Sequence, residues 1–83
     1  MIIFTKHAKE KFAVLRRHKF FITELQVKNA ILHPDVVDYS RIPLLIAQRK
    51  IDKRHVLRVV YKKANGDLRV ITFYPGRVVQ YQK

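Results

Sequence analysis

The sequence predicts an α+β fold in which two N-terminal helices pack on one face of a mainly antiparallel sheet of four to five strands. Three observations lead to this prediction. Apolar residues recur at helical spacing only before Pro34, and the chain after it consists of β-branched and aromatic runs. Within those runs, Asn65-Gly66 is the dipeptide most typical of a tight hairpin. Helices segregated to one face of an antiparallel sheet define the class, and residues 1–83 are long enough for one such domain.

The first helix is predicted to begin after Thr5, whose hydroxyl suits an N-cap. Three apolar residues, Ala8, Phe12 and Leu15, then follow at the spacing of one helix face. We expect this helix to end near Arg16-Arg17, because cations are favourable at the negative end of the helix dipole.

The second helix carries a clearer start signal. Thr23 and Gln26 have the spacing of a capping box, and Ile22 and Val27 occupy the two positions of a hydrophobic staple. The helix is expected to stop before Pro34, since proline disfavours helical backbone in the residue that precedes it.

Strands account for the remaining chain. We expect them over residues 35–41, 44–51, 55–63, 67–74 and 77–82, with Pro75-Gly76 separating the last two. Residues 2–4 either form a short additional strand or pack the N-terminus against the domain.

The hairpin at Asn65-Gly66 sets a register with an unusual consequence. If these two residues form the loop, Ala64 lies opposite Asp67 and Lys62 lies opposite Arg69. Like charges facing each other across a ladder are destabilising, which an anion bound over that face would relieve. The alternative is that both side chains extend past the sheet into water, where screening leaves little cost.

This register divides the hairpin into two faces. The face expected to carry the helices consists of Leu57, Val59, Tyr61, Val70, Thr72 and Tyr74. The opposite, basic face consists of Arg58, Val60, Lys62, Arg69, Ile71 and Phe73. A two-residue loop at Asp52-Lys53 would add Arg49 to the basic face, opposite Val56. A four-residue turn is the alternative, and a register slip of one residue would reverse the assignment.

Net charge points to a polyanionic partner. The chain has 18 Lys and Arg residues against 6 Asp and Glu, a formal charge of +12 and a pI near 10.5. Such an excess destabilises the folded state through self-repulsion, so nucleic acid is the first expectation and an acidic protein the second. No stretch favours a membrane surface, and no segment reads as a signal peptide or a membrane span, so we expect a cytoplasmic protein.

Three segments together resemble a known family: "FTKHAKEKF", "ITELQVKNAILHPDVV" and "LRVVYKK…GDLRVITFYP". They look like a family of small proteins of unknown function with a His-Ala pair opening the first helix, allied in fold to the RelE and BrnT type toxins of toxin–antitoxin pairs. The resemblance implies an α+β fold with a basic sheet face and metal-independent endonucleolytic cleavage of mRNA, often on the ribosome. It also implies neutralisation by an acidic or amphipathic antitoxin laid across that face.

Candidate site residues follow from the chemistry of RNA cleavage, which requires a group that stabilises charge on the phosphate and groups that move protons. The catalytic candidates are Arg58, Arg49, His55 and His7. Arginine suits the phosphate role because it binds two oxygens at once, and Arg58 comes first because the hairpin register places it on the basic face. The candidates for nucleic-acid binding are Arg49, Arg58, Lys62, Arg69, Phe73 and Arg77. For each arginine the alternative is a solvated surface charge, and for His7 it is a hydrogen bond that anchors the helix.

Tyr74 and Tyr81 are further candidate residues, and the motifs that the sequence lacks restrict the possible chemistry. Tyr74 and Tyr81 either stack on a base or relay a proton, or else pack in the core with the hydroxyl at its rim. The chain has no cysteine, no metal-ligand spacing and no Gly-rich phosphate loop, so we expect neither a metal nor a cofactor. A non-catalytic nucleic-acid-binding or ribosome-associated protein is the alternative function.

Overall fold

The architecture was obtained from a computed structural model that describes residues 1–81. Its elements, in chain order, are β1 (Ile2–Phe4), α1 (Lys6–Arg17), α2 (Glu24–Leu32), β2 (Val36–Arg41), β3 (Leu44–Lys50), β4 (His55–Ala64), β5 (Asp67–Arg77) and α3 (Val78–Tyr81). The strands form one sheet in the order β1-β5-β4-β3-β2, antiparallel except for the parallel pair β1–β5. The predicted α+β class is confirmed, and the parallel edge strand β1 makes the sheet mixed.

Both predicted helix starts are confirmed. The Thr5 hydroxyl accepts a hydrogen bond from the Ala8 amide at 3.2 Å, which caps α1. At α2, Thr23 and Gln26 form the full capping box, with the Gln26 side chain accepting from the Thr23 amide at 2.9 Å. Each cap satisfies amides that the first helical turn leaves without a partner.

The core lies between α1, α2 and the side of the sheet that they cover, here called the helix face. Sheet residues buried there are Leu45, Ala47, Leu57, Val59, Tyr61, Val70 and Phe73. The Phe12 ring of α1 packs on Phe73 with centroids 4.6 Å apart. Burial raises the pKa of Tyr61, since the charged phenolate is disfavoured away from water.

The hairpin register is confirmed near the turn and changes further along. Lys62 pairs with Arg69 as predicted, but Tyr61 pairs with Val70 and Val60 with Thr72, so Ile71 is an extra residue in β5. Such a β-bulge reverses the side-chain alternation beyond it. For the residues of β5 after Ile71, the predicted assignment to the two faces is therefore wrong. Phe73 is fully buried on the helix face, and Tyr74, which pairs with Arg58, lies on the opposite face.

The bulge is joined to the start of α1. Thr5, besides capping that helix, donates its hydroxyl to the Val70 carbonyl at 2.9 Å, and its amide donates to the same oxygen at 3.1 Å. Hydrogen bonds from Thr5 thus occupy a carbonyl at the point where the β4–β5 ladder is interrupted.

The prediction that Arg49 lies on the basic face is also wrong. Arg49 pairs with Leu57, so it shares the helix face, because the β3–β4 connection is longer than two residues and closes with a hydrogen bond from the Ile51 amide to the His55 carbonyl at 3.0 Å. Arg49 Nη1 donates to the carbonyl of His33, the residue that ends α2. Its charge therefore lies at the negative end of a helix dipole.

The predicted last strand, residues 77–82, is wrong as well. β5 continues through Pro75 and Gly76 to Arg77, and residues 78–81 form α3 instead. β5 already pairs with β1 on one side and β4 on the other, so no sheet position beside it remains for a further strand. Residue 82 lies outside the described part of the chain.

Candidate nucleic-acid interface

The side of the sheet opposite the helices, here called the open face, carries polar and cationic residues. By register its members are Asp38, Ile46, Gln48, Arg58, Val60, Lys62, Arg69, Thr72 and Tyr74. A cavity of about 900 Å³ opens on this face between β2 and α3. Its polar lining comes from Asp38, Tyr39, Ser40, Gln48, Arg58, Gln80 and Tyr81.

Arg58 forms the floor of this cavity. Its Nη1 donates to Gln48 Oε1 at 2.6 Å, and its Nε donates to the Tyr74 hydroxyl at 3.1 Å. The Asp38 carboxylate lies 3.8 Å from Nη2, an ion-pair distance that is too long for a hydrogen bond. The Arg58 side chain is only 12% exposed, so these contacts fix the guanidinium in one orientation.

An aromatic ring covers the guanidinium from the side of α3. The Arg58 Cζ atom lies 4.2 Å from the centroid of the Tyr81 ring, which is within the range of a cation–π contact. The same ring rests against Gly76, where a Cβ would overlap the ring and lie 3.0 Å from its Cδ2 atom. Gly76 therefore provides the space in which Tyr81 reaches Arg58.

Gln48 and Tyr74 explain why the arginine is held so firmly. Gln48 is 8% exposed, the only buried polar side chain among the described residues, and the Arg58 guanidinium satisfies its amide oxygen. A buried amide without a partner would be costly, so the two side chains depend on each other. The five side chains Asp38, Gln48, Arg58, Tyr74 and Tyr81 are called the Arg58 cluster below.

Asp38 is the acid of the cluster, and its pKa is lowered. The causes are hydrogen bonds from Ser40, whose amide donates to Asp38 Oδ1 at 2.8 Å, and the nearby charges of Arg58 and Arg41. Asp38 is consequently ionised at neutral pH and sits beside the guanidinium as a proton acceptor.

The cationic charge is otherwise almost entirely unpaired. Within residues 1–81, Arg58 is the one Lys or Arg side chain that forms an ion pair with a carboxylate. Lys62 and Arg69 face each other on the open face, four positions along β4 from Arg58, which corresponds to roughly 13 Å. Within residues 1–81, Asp38 therefore offsets the charge of Arg58 alone, and no acid pairs with Lys62 or Arg69.

The structure brings some predicted site residues together and separates others. Arg58, Lys62 and Arg69 share the open face as predicted. His7 lies on α1, on the other side of the sheet, and His55 lies at the sheet end with its ring edge-on to Phe20 at 4.9 Å. Neither histidine contributes to the Arg58 cluster.

Three members of the cluster were missed as open-face residues: Asp38, Gln48 and Tyr74. Gln48 carried a usable signal, because a lone amide within the apolar run of β3 needs a buried partner. The position of Tyr74 depends on the bulge at Ile71, which has no glycine or proline to mark it.

Comparison of this chain with protein-family models, curated proteins and solved structures found no match. Within the described residues, no helix is long and apolar enough to cross a membrane. The same residues contain no group of three or more His, Cys, Asp or Glu side chains placed to hold a metal ion.

Proposed function

We propose that this protein binds single-stranded RNA on its open face and cleaves it at the Arg58 cluster without a metal ion, as a RelE/BrnT-like toxin. One observation carries the proposal: an arginine with a fixed guanidinium lines an open-face cavity together with a carboxylate and the side chains of Tyr39 and Tyr81, and it also bonds to the Tyr74 hydroxyl. Two of its N–H groups bond to Gln48 and Tyr74, and Nη2, which faces Asp38 at an ion-pair distance without a hydrogen bond, would donate to a phosphate oxygen.

The reaction that suits this set is attack by the 2′-hydroxyl on the adjacent phosphate. A bond forms between the 2′-oxygen and phosphorus, the bond from phosphorus to the 5′-oxygen breaks, and the products end in a 2′,3′-cyclic phosphate and a 5′-hydroxyl. Negative charge grows on the non-bridging oxygens during this step. The preorganised guanidinium of Arg58 would stabilise that charge.

The cluster also offers groups for the two proton transfers. The Asp38 carboxylate, ionised at neutral pH, is placed to accept the proton of the 2′-hydroxyl. The Tyr74 oxygen accepts a hydrogen bond from Arg58 Nε, which leaves its own O–H free to donate a proton to the departing 5′-oxygen. Tyr81 presents an aromatic ring in the same cavity, a surface on which a base can stack.

The proposed partner proteins follow from the same electrostatics. An acidic or amphipathic antitoxin laid across the open face would neutralise the unpaired cations and cover the cavity. The antitoxin and the RNA would be attracted to the same cations, so they would compete for the open face.

The test is cleavage of a single-stranded RNA in excess chelator by three purified proteins: the wild type, Arg58→Lys and Arg16→Lys. The Arg58→Lys change keeps the charge but removes the planar fork, and we expect a loss of roughly 100-fold in rate. Arg16 is exposed on α1, so the same change there should leave the rate unaltered. A matching RNA with 2′-deoxy sugars should bind and remain intact.

A second candidate is non-catalytic RNA binding. It is favoured by the position of Asp38, whose negative charge beside Arg58 opposes the approach of a phosphate. Wild-type protein that binds RNA with a steep salt dependence but yields no cyclic-phosphate product would select this candidate. Equal losses of cleavage in Arg58→Lys and Arg16→Lys would contradict the assignment of the reaction to the Arg58 cluster.

A further inference from the structure

A second cavity lies at the end of the sheet, where the β3–β4 turn meets the end of β5. Its volume is about 500 Å³, and its lining consists of Lys53, Arg54, His55, Arg77, Val78 and Val79. Within residues 1–81 no carboxylate lines it, so three permanent cations face a single space. Like charges gathered in this way repel one another, and a bound anion would relieve that repulsion.

The cavity is built by hydrogen bonds that hold its two walls together. The Val78 amide at the start of α3 donates to the Arg54 carbonyl at 2.8 Å, which ties the end of β5 to the β3–β4 turn. The turn is itself fixed, because Asp52 Oδ1 accepts from the amides of Arg54 and His55, each at 2.8 Å. The cations of this cavity are thus presented from a backbone that needs no rearrangement to receive a ligand.

The acid nearest to the cavity is already committed to the turn. Asp52 lies 3.0 Å from His55 Nδ1, and its pKa is lowered, chiefly by the hydrogen bond from the Arg54 amide. It forms no ion pair with Lys53, Arg54 or Arg77. The charges of these three side chains are therefore available to a ligand.

The two cavities share one wall. Val78 and Val79 of α3 line the end cavity, while Gln80 and Tyr81 of the same helix line the cavity over Arg58. Along β4, His55 and Arg58 are three residues apart, which is roughly 10 Å. A polyanion that passes over α3 would therefore contact both cavities at once.

We propose that the end cavity is a second phosphate subsite for the same RNA strand, with Lys53, Arg54 and Arg77 binding a phosphate that flanks the one at Arg58. This inference rests on the proposed function and extends it. An RNA strand with phosphates bound at both subsites is held with one of them positioned at Arg58. Only an oligonucleotide that spans both subsites gains from the second one, whereas a dinucleotide occupies one of them.

The test measures RNA binding by fluorescence anisotropy as a function of salt. The end-cavity variant carries Lys53→Gln, Arg54→Gln and Arg77→Gln. The control variant carries Lys9→Gln, Arg16→Gln and Arg17→Gln, an equal loss of charge from exposed positions of α1. Each protein is titrated with a dinucleotide and with a single-stranded RNA of about ten nucleotides. Thermal melting and circular dichroism establish that both variants are folded.

For the longer RNA, we expect the end-cavity variant to reduce the magnitude of the slope of log K against log salt by about 0.7, because it loses one phosphate contact. The dinucleotide should bind to this variant as it does to the wild type, and the control variant should keep the wild-type slope. An unchanged slope in the end-cavity variant would overturn the second subsite while leaving RNA binding at Arg58 intact. An equal fall in both variants would overturn it in favour of diffuse attraction, and a wild type that binds neither RNA would overturn the proposed function along with it.

Discussion

The two faces of the sheet are built from the same strands but are held together by different interactions. On the helix face, Phe73, Leu57 and Val59 are fully buried against the helices, and the hydrophobic effect accounts for their packing. On the open face, Arg58 is fixed by directional contacts to Gln48, Tyr74 and Tyr81. One face therefore stabilises the fold, and the other presents a prearranged set of polar groups to a ligand.

The largest expected effect comes from the helix face. Phe73→Ala removes a fully buried ring packed against Phe12, and we expect a loss of about 3–5 kcal/mol in the free energy of unfolding. The neighbouring Tyr74→Phe removes only a hydroxyl on the open face and should cost far less. Urea denaturation of both variants measures the difference, and a Tyr74→Phe variant as unstable as Phe73→Ala would contradict the assignment of these two residues to opposite faces.

The second-largest effect is expected at Thr5, which connects α1 to the bulge in β5. Thr5→Ala removes both the cap of α1 and the hydrogen bond to the Val70 carbonyl, and we expect it to lower the free energy of unfolding by about 1–2 kcal/mol. Thr5→Ser keeps the hydroxyl and serves as the matched control in the same urea experiment. A Thr5→Ser variant that loses as much as Thr5→Ala would show that the methyl group, not the hydroxyl, is what matters.

Arg49 and Arg69 offer a direct comparison of one residue type on the two faces. Arg49→Ala should lower the free energy of unfolding by about 1 kcal/mol, because Arg49 binds the carbonyl that ends α2, and should leave RNA affinity nearly unchanged. Arg69→Ala should lower RNA affinity and leave the free energy of unfolding nearly unchanged, since Arg69 is exposed on the open face. Thermal melting and RNA titration of both variants test this, and the opposite pattern would refute the corrected register of β3.

The smallest effect concerns the acid of the open face. The pKa of Asp38 in the folded protein is below its ordinary value of 3.8, so its ionised form stabilises the fold. That contribution is complete above the ordinary pKa and is lost as the pH falls through the folded-state pKa. Asp38→Asn should therefore destabilise the protein at neutral pH and match the wild type in strong acid. A difference between them that does not change with pH would contradict an electrostatic role for Asp38.

The sequence was sufficient for α1 and α2 and for the hairpin near its turn because those features depend on local signals. The Thr5 and Thr23 caps and the Asn65-Gly66 loop are each recognisable within a few residues. The bulge at Ile71 is instead held by a tertiary contact, the hydrogen bond from Thr5 across 65 residues, and the β3–β4 turn has no glycine or proline that marks its length. Each moves the side chains beyond it by one position, which is why Phe73, Tyr74 and Arg49 were assigned to the wrong faces.

The candidate site was predictable in part for the same reason. The extra residue of the bulge lies in β5, so the alternation of side chains along β4 runs unbroken from the Asn65-Gly66 turn to Arg58. The predicted placement of Arg58 on the basic face is therefore correct. The partners of Arg58 come from β2, β3, β5 and α3. Predicting that they meet requires the order of the strands in the sheet and the position of α3, whose sequence pattern is typical of a strand.

The central claim is that RNA binds to the open face at the Arg58 cluster, and nuclear magnetic resonance tests it most directly. Labelled protein is titrated with a single-stranded RNA that carries 2′-deoxy sugars at the cleavage position, so that the complex persists. We expect the Arg58 Nε–H and Gln48 side-chain signals to shift together, while the amide signals of α1 and α2 stay in place. Shifts confined to α1 and α2, with the Arg58 Nε–H signal unmoved at saturation, would contradict it.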